Sequence, residues 1–318
     1  MPLTALDYTS QAFENYNNQD LLGAITACDE AIKLNSNEED AFSLRAQAKL
    51  ELAHQNSSNY QDAIADFDTA ISLLSLSQSH SMCASMFLGR ADAKFFLTRY
   101  ADAIADCNAA ITLDPYSAVA FWYRGNAKQQ LNDHQGAIDD FDQAIHLKKN
   151  NNPMVLFKIL FNRARAKQQL NQHETAITDF NKVIELDSQD PLPLLGRAVS
   201  RSALEDHLGA IADCNKALAL EPNMIDIILL RQHENRELGN YPAAIADCDR
   251  AIQLNSENVE DIRHVKNRLI EEYSIHQPHV KNKTQKTSSL WPVAGESDKT
   301  PLYGYHQEET CCRGCRII

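Results

Sequence analysis

The sequence predicts an all-α fold: an α-solenoid of about seven helix-turn-helix repeats, closed by a capping helix and followed by a disordered C-terminal tail. Three observations predict it. One thirteen-residue string recurs seven times, at start-to-start spacings of 39, 40, 34, 39, 34 and 34 residues. Apolar residues in each string fall at helical spacing, and a second helical stretch lies upstream of each. Glycine and proline number only 10 each among 318 residues, while apolar residues make up 44%, enough for a continuous core.

The strings vary on A-A-I-A-D-C-D-x-A-I-x-L-x. They are GAITACDEAIKLN from Gly23, DAIADFDTAISLL from Asp62, DAIADCNAAITLD from Asp102, GAIDDFDQAIHLK from Gly136, TAITDFNKVIELD from Thr175, GAIADCNKALALE from Gly209 and AAIADCDRAIQLN from Ala243. In the third, Ala103, Ile104, Cys107, Ala110, Ile111 and Leu113 form one helical stripe. A two-helix unit of this size cannot bury both faces alone, so stacked neighbours supply the core. The longer spacings mark insertions, placed at the polar residues 54–58 between two helices and at 148–153 between repeats. The repeats occupy residues 4–256. Residues 257–276 form one more amphipathic helix, with Val259, Ile262, Val265, Leu269 and Tyr273 on one side, suited to a terminal cap. Residues 277–310 lose the periodicity and read as a flexible linker, and 311–318 form a Cys-rich tail.

These repeats resemble the tetratricopeptide family. Its spacing of small, large, small and proline is matched by Ala103, Cys107, Ala110 and Pro115, and by Ala210, Cys214, Ala217 and Pro222. Gly125 takes the family's first-helix glycine position. Arg stands where the family usually has Leu, and Lys or Arg where it often has Tyr, yet these departures keep the period. The resemblance covers about four-fifths of the chain and implies a right-handed α-solenoid that binds proteins.

Composition narrows the function further. A net charge of −13 argues against nucleic acid, since phosphate recognition needs a basic surface. Residues 277–318 carry six Lys/Arg and four Asp/Glu, which leaves −15 on residues 1–276. Residues 1–10 lack a secretory pattern, Pro2 excludes N-myristoylation, and no stretch is long enough to span a bilayer. The sequence has no Walker-type loop, no G-x-S-x-G and no H-E-x-x-H, so it predicts no enzyme, cofactor or small-molecule substrate.

Two repeated residue sets carry charge. Arg45, Arg90, Arg124, Arg163, Arg197 and Arg231 recur in first helices, and Asp66, Asp106, Asp140, Asp179, Asp213 and Asp247 in second helices. Repeat 1 lacks both, having Gln11 and Ala27 there. Joint presence and absence predict that each Arg meets an Asp, in a two-pronged pair that sets helix register. The alternative is an Arg ladder that grips an acidic ligand. His134, His173 and His207 alternate with Tyr60, Tyr100 and Tyr241, and Cys28, Cys107, Cys214 and Cys248 with Phe67, Phe141 and Phe180. These are repeat positions rather than a metal cluster, and the cysteines behave as small apolar side chains suited to a reducing compartment.

The family resemblance implies that first helices line a concave groove. One groove position reads Leu88, Trp122, Phe161, Leu195 and Leu229 through repeats 3 to 7, with Thr9 and Ser43 in repeats 1 and 2. Neighbouring positions are polar, namely Asn126, Gln129, Gln130, Arg165, Gln168 and Gln169. Apolar anchors beside amides suit an extended peptide or a helix, with Trp122 and Phe161 as exposed anchors. Alternatively, the stripe packs between first helices. Asn126 and Asn162 match the amides with which some family members hold a chaperone's C-terminal carboxylate. Trp122, Leu192 and Gly196 replace the basic residues of that site.

Cys315-Arg316-Ile317-Ile318 resembles a C-a-a-X prenylation box, with its apolar last residue leaning toward geranylgeranyl. Cys311 and Cys312 are then palmitoylation candidates that supply a second anchor. The resulting expectation is a cytoplasmic adaptor that recruits protein partners and sits peripherally on a membrane through its tail. From an intracellular bacterium, the same tail predicts delivery to host cytosol and lipidation there. The alternative is a soluble assembly or chaperone-type factor with an inert tail.

Overall fold

The computed structural model describes residues 2–56, 59–74, 80–147, 153–254 and 259–276. The expected linker and the cysteines of the tail lie outside the described residues. Seven helix pairs follow one another: α1 (Ala5–Asn17) and α2 (Leu21–Leu34), α3 (Glu39–Asn56) and α4 (Tyr60–Leu73), α5 (His80–Phe96) and α6 (Tyr100–Leu113), α7 (Ala118–Gln130) and α8 (His134–Leu147). Then come α9 (Pro153–Gln169) and α10 (His173–Leu186), α11 (Pro191–Ala203) and α12 (His207–Leu220), α13 (Ile225–Glu237) and α14 (Tyr241–Gln253), and the single helix α15 (Val259–His276). Each helix packs on its chain neighbours, and first helices also touch the first helices of adjacent repeats. This is the expected α-solenoid. One expectation needs correction: the insertion in repeat 2 is not wholly a loop, because α3 continues through His54 to Asn56.

The turn inside six of the seven described repeats, all but repeat 2, has a repeated design. Gln19, Thr98, Asn132, Asn171, Glu205 and Gly239 lie two residues before their second helix with φ between 56° and 70°. The next residue donates its N–H to a carbonyl five positions back, as Arg99 does to Lys94 at 2.9 Å and Gln172 does to Lys167 at 2.9 Å. That pairing satisfies carbonyls the helix end would otherwise strand. Second helices then start on an N-cap. Asp20, Asp133 and Asp206 accept the N–H of Gly23, Gly136 and Gly209 at 2.9 to 3.0 Å. A Cβ on any of these glycines would lie within 2.3 Å of a capping carboxylate oxygen, so Asp cap and Gly occur together.

The core is a chain of neighbouring clusters. Ala24, Ala63, Ala103, Ala137, Ala176, Ala210 and Ala244, one on each second helix, are all buried. Around them, large and small residues compensate across interfaces. Where a second helix carries Cys28 or Cys214, the next first helix supplies Leu44 or Leu230 to the same cluster, and Tyr123 packs on the cluster of Cys107. Where it carries Phe67 or Phe180, the next first helix has Gly89 or Gly196, whose added Cβ would come 2.4 Å from the ring. Phe141 is accommodated by Gly125 of its own repeat. Filling space at crystal-like density requires this matching.

Both ends of the described array are polar. Positions buried as Ala120, Ile159 and Ile227 in inner repeats are exposed Asp7 in repeat 1, and those buried as Ala93, Ala127 and Ala166 are exposed Glu14. At the other end α15 buries Ile262 and Leu269 and exposes Glu260, Arg263, Asn267 and Arg268. Arg236 clamps Glu272 of α15 with bonds of 3.0 and 2.8 Å.

Candidate functional site

The repeated arginines are structural. In repeats 2 to 7 each donates two bonds to the Asp of its own second helix. Arg163 shows the pattern, with Nε at 2.9 Å and Nη2 at 2.5 Å from the two oxygens of Asp179. The remaining prong reaches the preceding repeat: Nη1 of Arg45, Arg90 and Arg163 meets Asp29, Asp68 and Asp142 at 2.6 Å. Arg124, Arg197 and Arg231 meet Asn108, Asn181 and Asn215 at 2.7 Å. A residue one turn further on adds a second cation to most of these aspartates, as Lys49, Lys94, Lys128, Lys167 and Arg201 do at 2.6 to 2.8 Å. Asn235 takes that place in repeat 7. Burial opposes the Arg163 charge, but its bonds to Asp179 and Asp142 outweigh it and hold the guanidinium above its ordinary value. Each of the three guanidinium nitrogens therefore already donates to a partner inside the protein, so a ligand-gripping Arg ladder would have to compete with these bonds. Repeat 1 has neither partner of this pair, with Gln11 and Ala27 in their places.

The expected apolar stripe lies on successive first helices, but it is half-buried along its length. Leu88 packs on the α5–α6–α7 clusters, while Leu195 and Leu229 pack on the large cluster of the last repeats. The expectation that Trp122 and Phe161 stand exposed needs correction. Phe161 stacks on Phe157 at 6.1 Å and meets Phe180 edge-on at 6.0 Å. Trp122 rests on the cluster around Phe141, with Lys158 Nζ 6.0 Å from its ring centroid and its Nε1 buried without a partner. Gln168 also departs from expectation. Its Nε2 donates to the Gly196 carbonyl and the Ser200 hydroxyl, both at 2.8 Å, and so ties α9 to α11. Asn162 donates to Asn126 at 2.8 Å and joins repeats 4 and 5. Arg165 is exposed on the same helix as Phe161, Gln130 and Gln169 are exposed, and Gln129 is half-buried.

Histidines and cysteines occupy packing positions. Among the described residues no group of three or more His, Cys, Asp or Glu could hold a metal ion. Burial pushes the thiols of Cys28, Cys107 and Cys214 up to about 12 and that of Cys248 up to about 11. His207 opens α12 and places Nδ1 2.8 Å from Glu234, which also accepts from the Ser202 hydroxyl at 2.6 Å. Glu234 is wholly buried where other repeats carry Ala48, Ala93, Ala127 and Ala166. His54 places Nε2 2.9 Å from Asp92, between the rings of Tyr60 and Phe96. The repeat period hid both pairs, because each joins residues that only stacking brings together.

One surface escaped the sequence reading. In α1, Leu6 and Phe13 are 66% and 58% exposed, and Leu3 just before the helix is 53% exposed. The stripe followed a single position per repeat, at which repeat 1 has buried Thr9.

The tetratricopeptide-repeat family profiles match residues 49–118, 88–152 and 157–190. Among curated proteins, the DnaJ homolog subfamily C member 7 homolog of Dictyostelium discoideum is 30% identical over 98 residues, covering 31% of this chain and 18% of that protein. RNA polymerase II-associated protein 3 of Xenopus tropicalis is 45% identical over 62 residues, 20% of this chain and 9% of that protein. The chain thus spans a small fraction of the relatives it matches. Among solved structures, a repeat-containing protein from Cytophaga hutchinsonii superposes with a TM-score of 0.63 at 17% identity, over 80% of this chain and 98% of that one. YrrB, described as a repeat protein with an unusual peptide-binding site, superposes with a TM-score of 0.53 at 17% identity, over 63% of this chain and 97% of that one. Within residues 49–190 the chain carries tetratricopeptide repeats.

Proposed function

We propose that this array of tetratricopeptide repeats is a protein-interaction adaptor that takes an extended peptide or a helix of its partner along the first helices. Leu88, Trp122, Phe161, Leu195 and Leu229 supply the apolar floor, and Asn126, Gln129 and Arg165 the polar contacts. Gln168 acts indirectly, by fixing α9 against α11. One observation carries this reading: in repeats 4 and 5 half-buried aromatic faces stand beside an inter-repeat amide pair and an exposed Arg165. Apolar surface next to a few oriented polar groups is what peptide recognition uses. The test is affinity isolation from cells with the intact chain and an Asn126→Ala/Arg165→Glu variant. Loss of a defined partner set at unchanged melting temperature supports the reading; retention of the full set contradicts it.

The adaptor is tethered to a cytosolic membrane face through a thioether-linked isoprenyl group on Cys315, with Cys311 and Cys312 as acyl sites. This part rests on the resemblance of Cys315-Arg316-Ile317-Ile318 to a prenylation box. Membrane partitioning in eukaryotic cells that disappears in Cys315→Ser, with an isoprenyl mass on the wild-type peptide, supports it. An unmodified chain that stays out of the membrane fraction contradicts it.

A further inference from the structure

The first repeat combines apolar exposure with concentrated negative charge. Leu6 and Phe13 are seven residues apart on α1, so they share one face about 10 Å apart along the axis. Leu3 extends that face at the helix start, exposed Ser10 lies between Leu6 and Phe13, and exposed Asn17 follows Phe13. Acids flank it on both sides. Asp7 and Glu14 are exposed on the adjoining strip of α1. On the α3 side, Tyr16 donates its hydroxyl to Glu51 at 2.7 Å, which places that carboxylate beside the same edge, and Asp40 is exposed on α3. No Lys or Arg occurs in α1. Residues 1–44 hold eight Asp/Glu and one Lys, a net −7, whereas residues 45–276 carry −8 over five times the length. That one cation, Lys33, is paired with Glu30 at 2.5 Å.

We propose that this face of α1 docks a basic amphipathic helix from a partner protein, which seats apolar side chains on Leu3, Leu6 and Phe13 and aims Lys or Arg at Asp7, Glu14, Asp40 and Glu51. Leu3, Leu6 and Phe13 stand at i, i+3 and i+10, a spacing that keeps all three on one face and suits the apolar stripe of a docked amphipathic helix. The flanking acids set the sign of the partner's charge and speed its encounter. A second copy of this chain is disfavoured as occupant, because pairing two such faces would bring like charges together. The surface lies three repeats from Trp122 and four from Arg165, so it stands or falls separately from the groove reading above.

The test uses the full chain and a fluorescent helical peptide of about four turns, Leu on one face and Lys on the other, followed by anisotropy at low salt. We expect saturable binding that weakens as salt rises. Leu6→Ser/Phe13→Ser should weaken it by about tenfold or more, and a peptide with Glu replacing Lys should not bind. Both substituted side chains are exposed, and circular dichroism checks that the variant keeps its helix content. Asn126→Ala/Arg165→Glu should leave this binding unchanged. Absence of binding at low salt overturns the proposal. So does equal binding by Leu6→Ser/Phe13→Ser, or by a scrambled peptide of the same charge. Sedimentation showing a dimer that Leu6→Ser/Phe13→Ser dissociates would assign the face to a second copy and also overturn it.

Discussion

Asp179 is almost wholly buried, and its charge is met by Arg163 and Lys167 alone among cations. Removing one partner of such a group costs more than the pair contributes, because the remaining charge keeps its desolvation penalty. Arg163→Ala should therefore lower unfolding free energy by about 3 kcal/mol in chemical denaturation. An effect within experimental error would mean that Lys167 suffices. A residue in the opposite situation is Thr98. It holds φ 58° at a turn position that Gly239 fills in repeat 7, and β-branched residues resist that conformation. Thr98→Gly should raise stability by about 1 kcal/mol, read as a higher denaturation midpoint. The core thiols add a pH dependence. Unfolded cysteines ionise near their ordinary value of 9.0, whereas Cys28, Cys107 and Cys214 stay protonated to about 12 when folded. Their contribution is thus complete below pH 9 and is lost as pH rises toward 12. Alkylation of the native protein at pH 9 should spare these three and reach them only after unfolding.

At the scale of helices, four of the interfaces between described repeats use one of two solutions. A Cys with a Leu opposite joins repeats 1 and 2 and repeats 6 and 7, while a Phe with a Gly opposite joins repeats 2 and 3 and repeats 5 and 6. The two are predicted to interconvert only as pairs. Phe180→Cys leaves a cavity and Gly196→Leu overfills the same space, and each should cost about 2 kcal/mol or more. The double variant should recover at least about 1 kcal/mol of their sum, a coupling that a thermodynamic cycle measures. Strict additivity would show that the sites do not share volume. Helix existence and order were legible from the thirteen-residue string, since each copy repeats the same buried alanines. The Arg–Asp pairing was legible because both partners vanish together in repeat 1. The third prong, to Asx of the preceding repeat, was not, because those residues read as ordinary variation between Asp and Asn. Gln168 and Trp122 were misread for a related reason. Position in a repeat says which way a side chain points, but not whether the next repeat already covers it.

The whole described array is a one-dimensional object in which every contact is between neighbours. The six Arg nodes link repeat 1 to repeat 7, and Lys266 of α15 meets Asp249 of α14 in the place of a seventh. Such a spine transmits register along the stack while leaving most first-helix faces available for partners. Polar residues stand at both ends of the described array, Asp7 and Glu14 on one side and Glu260, Arg263, Asn267 and Arg268 of α15 on the other. The proposed function is recruitment of a protein partner along the first helices. The most direct measurement places a photo-crosslinking amino acid at position 126 or 165 on that surface, and at position 112 or 216 on exposed faces of second helices. Crosslinks to one defined partner from 126 and 165, absent from 112 and 216, are the predicted result. Crosslinks from 112 and 216 alone would place the partner on the second helices and contradict the account.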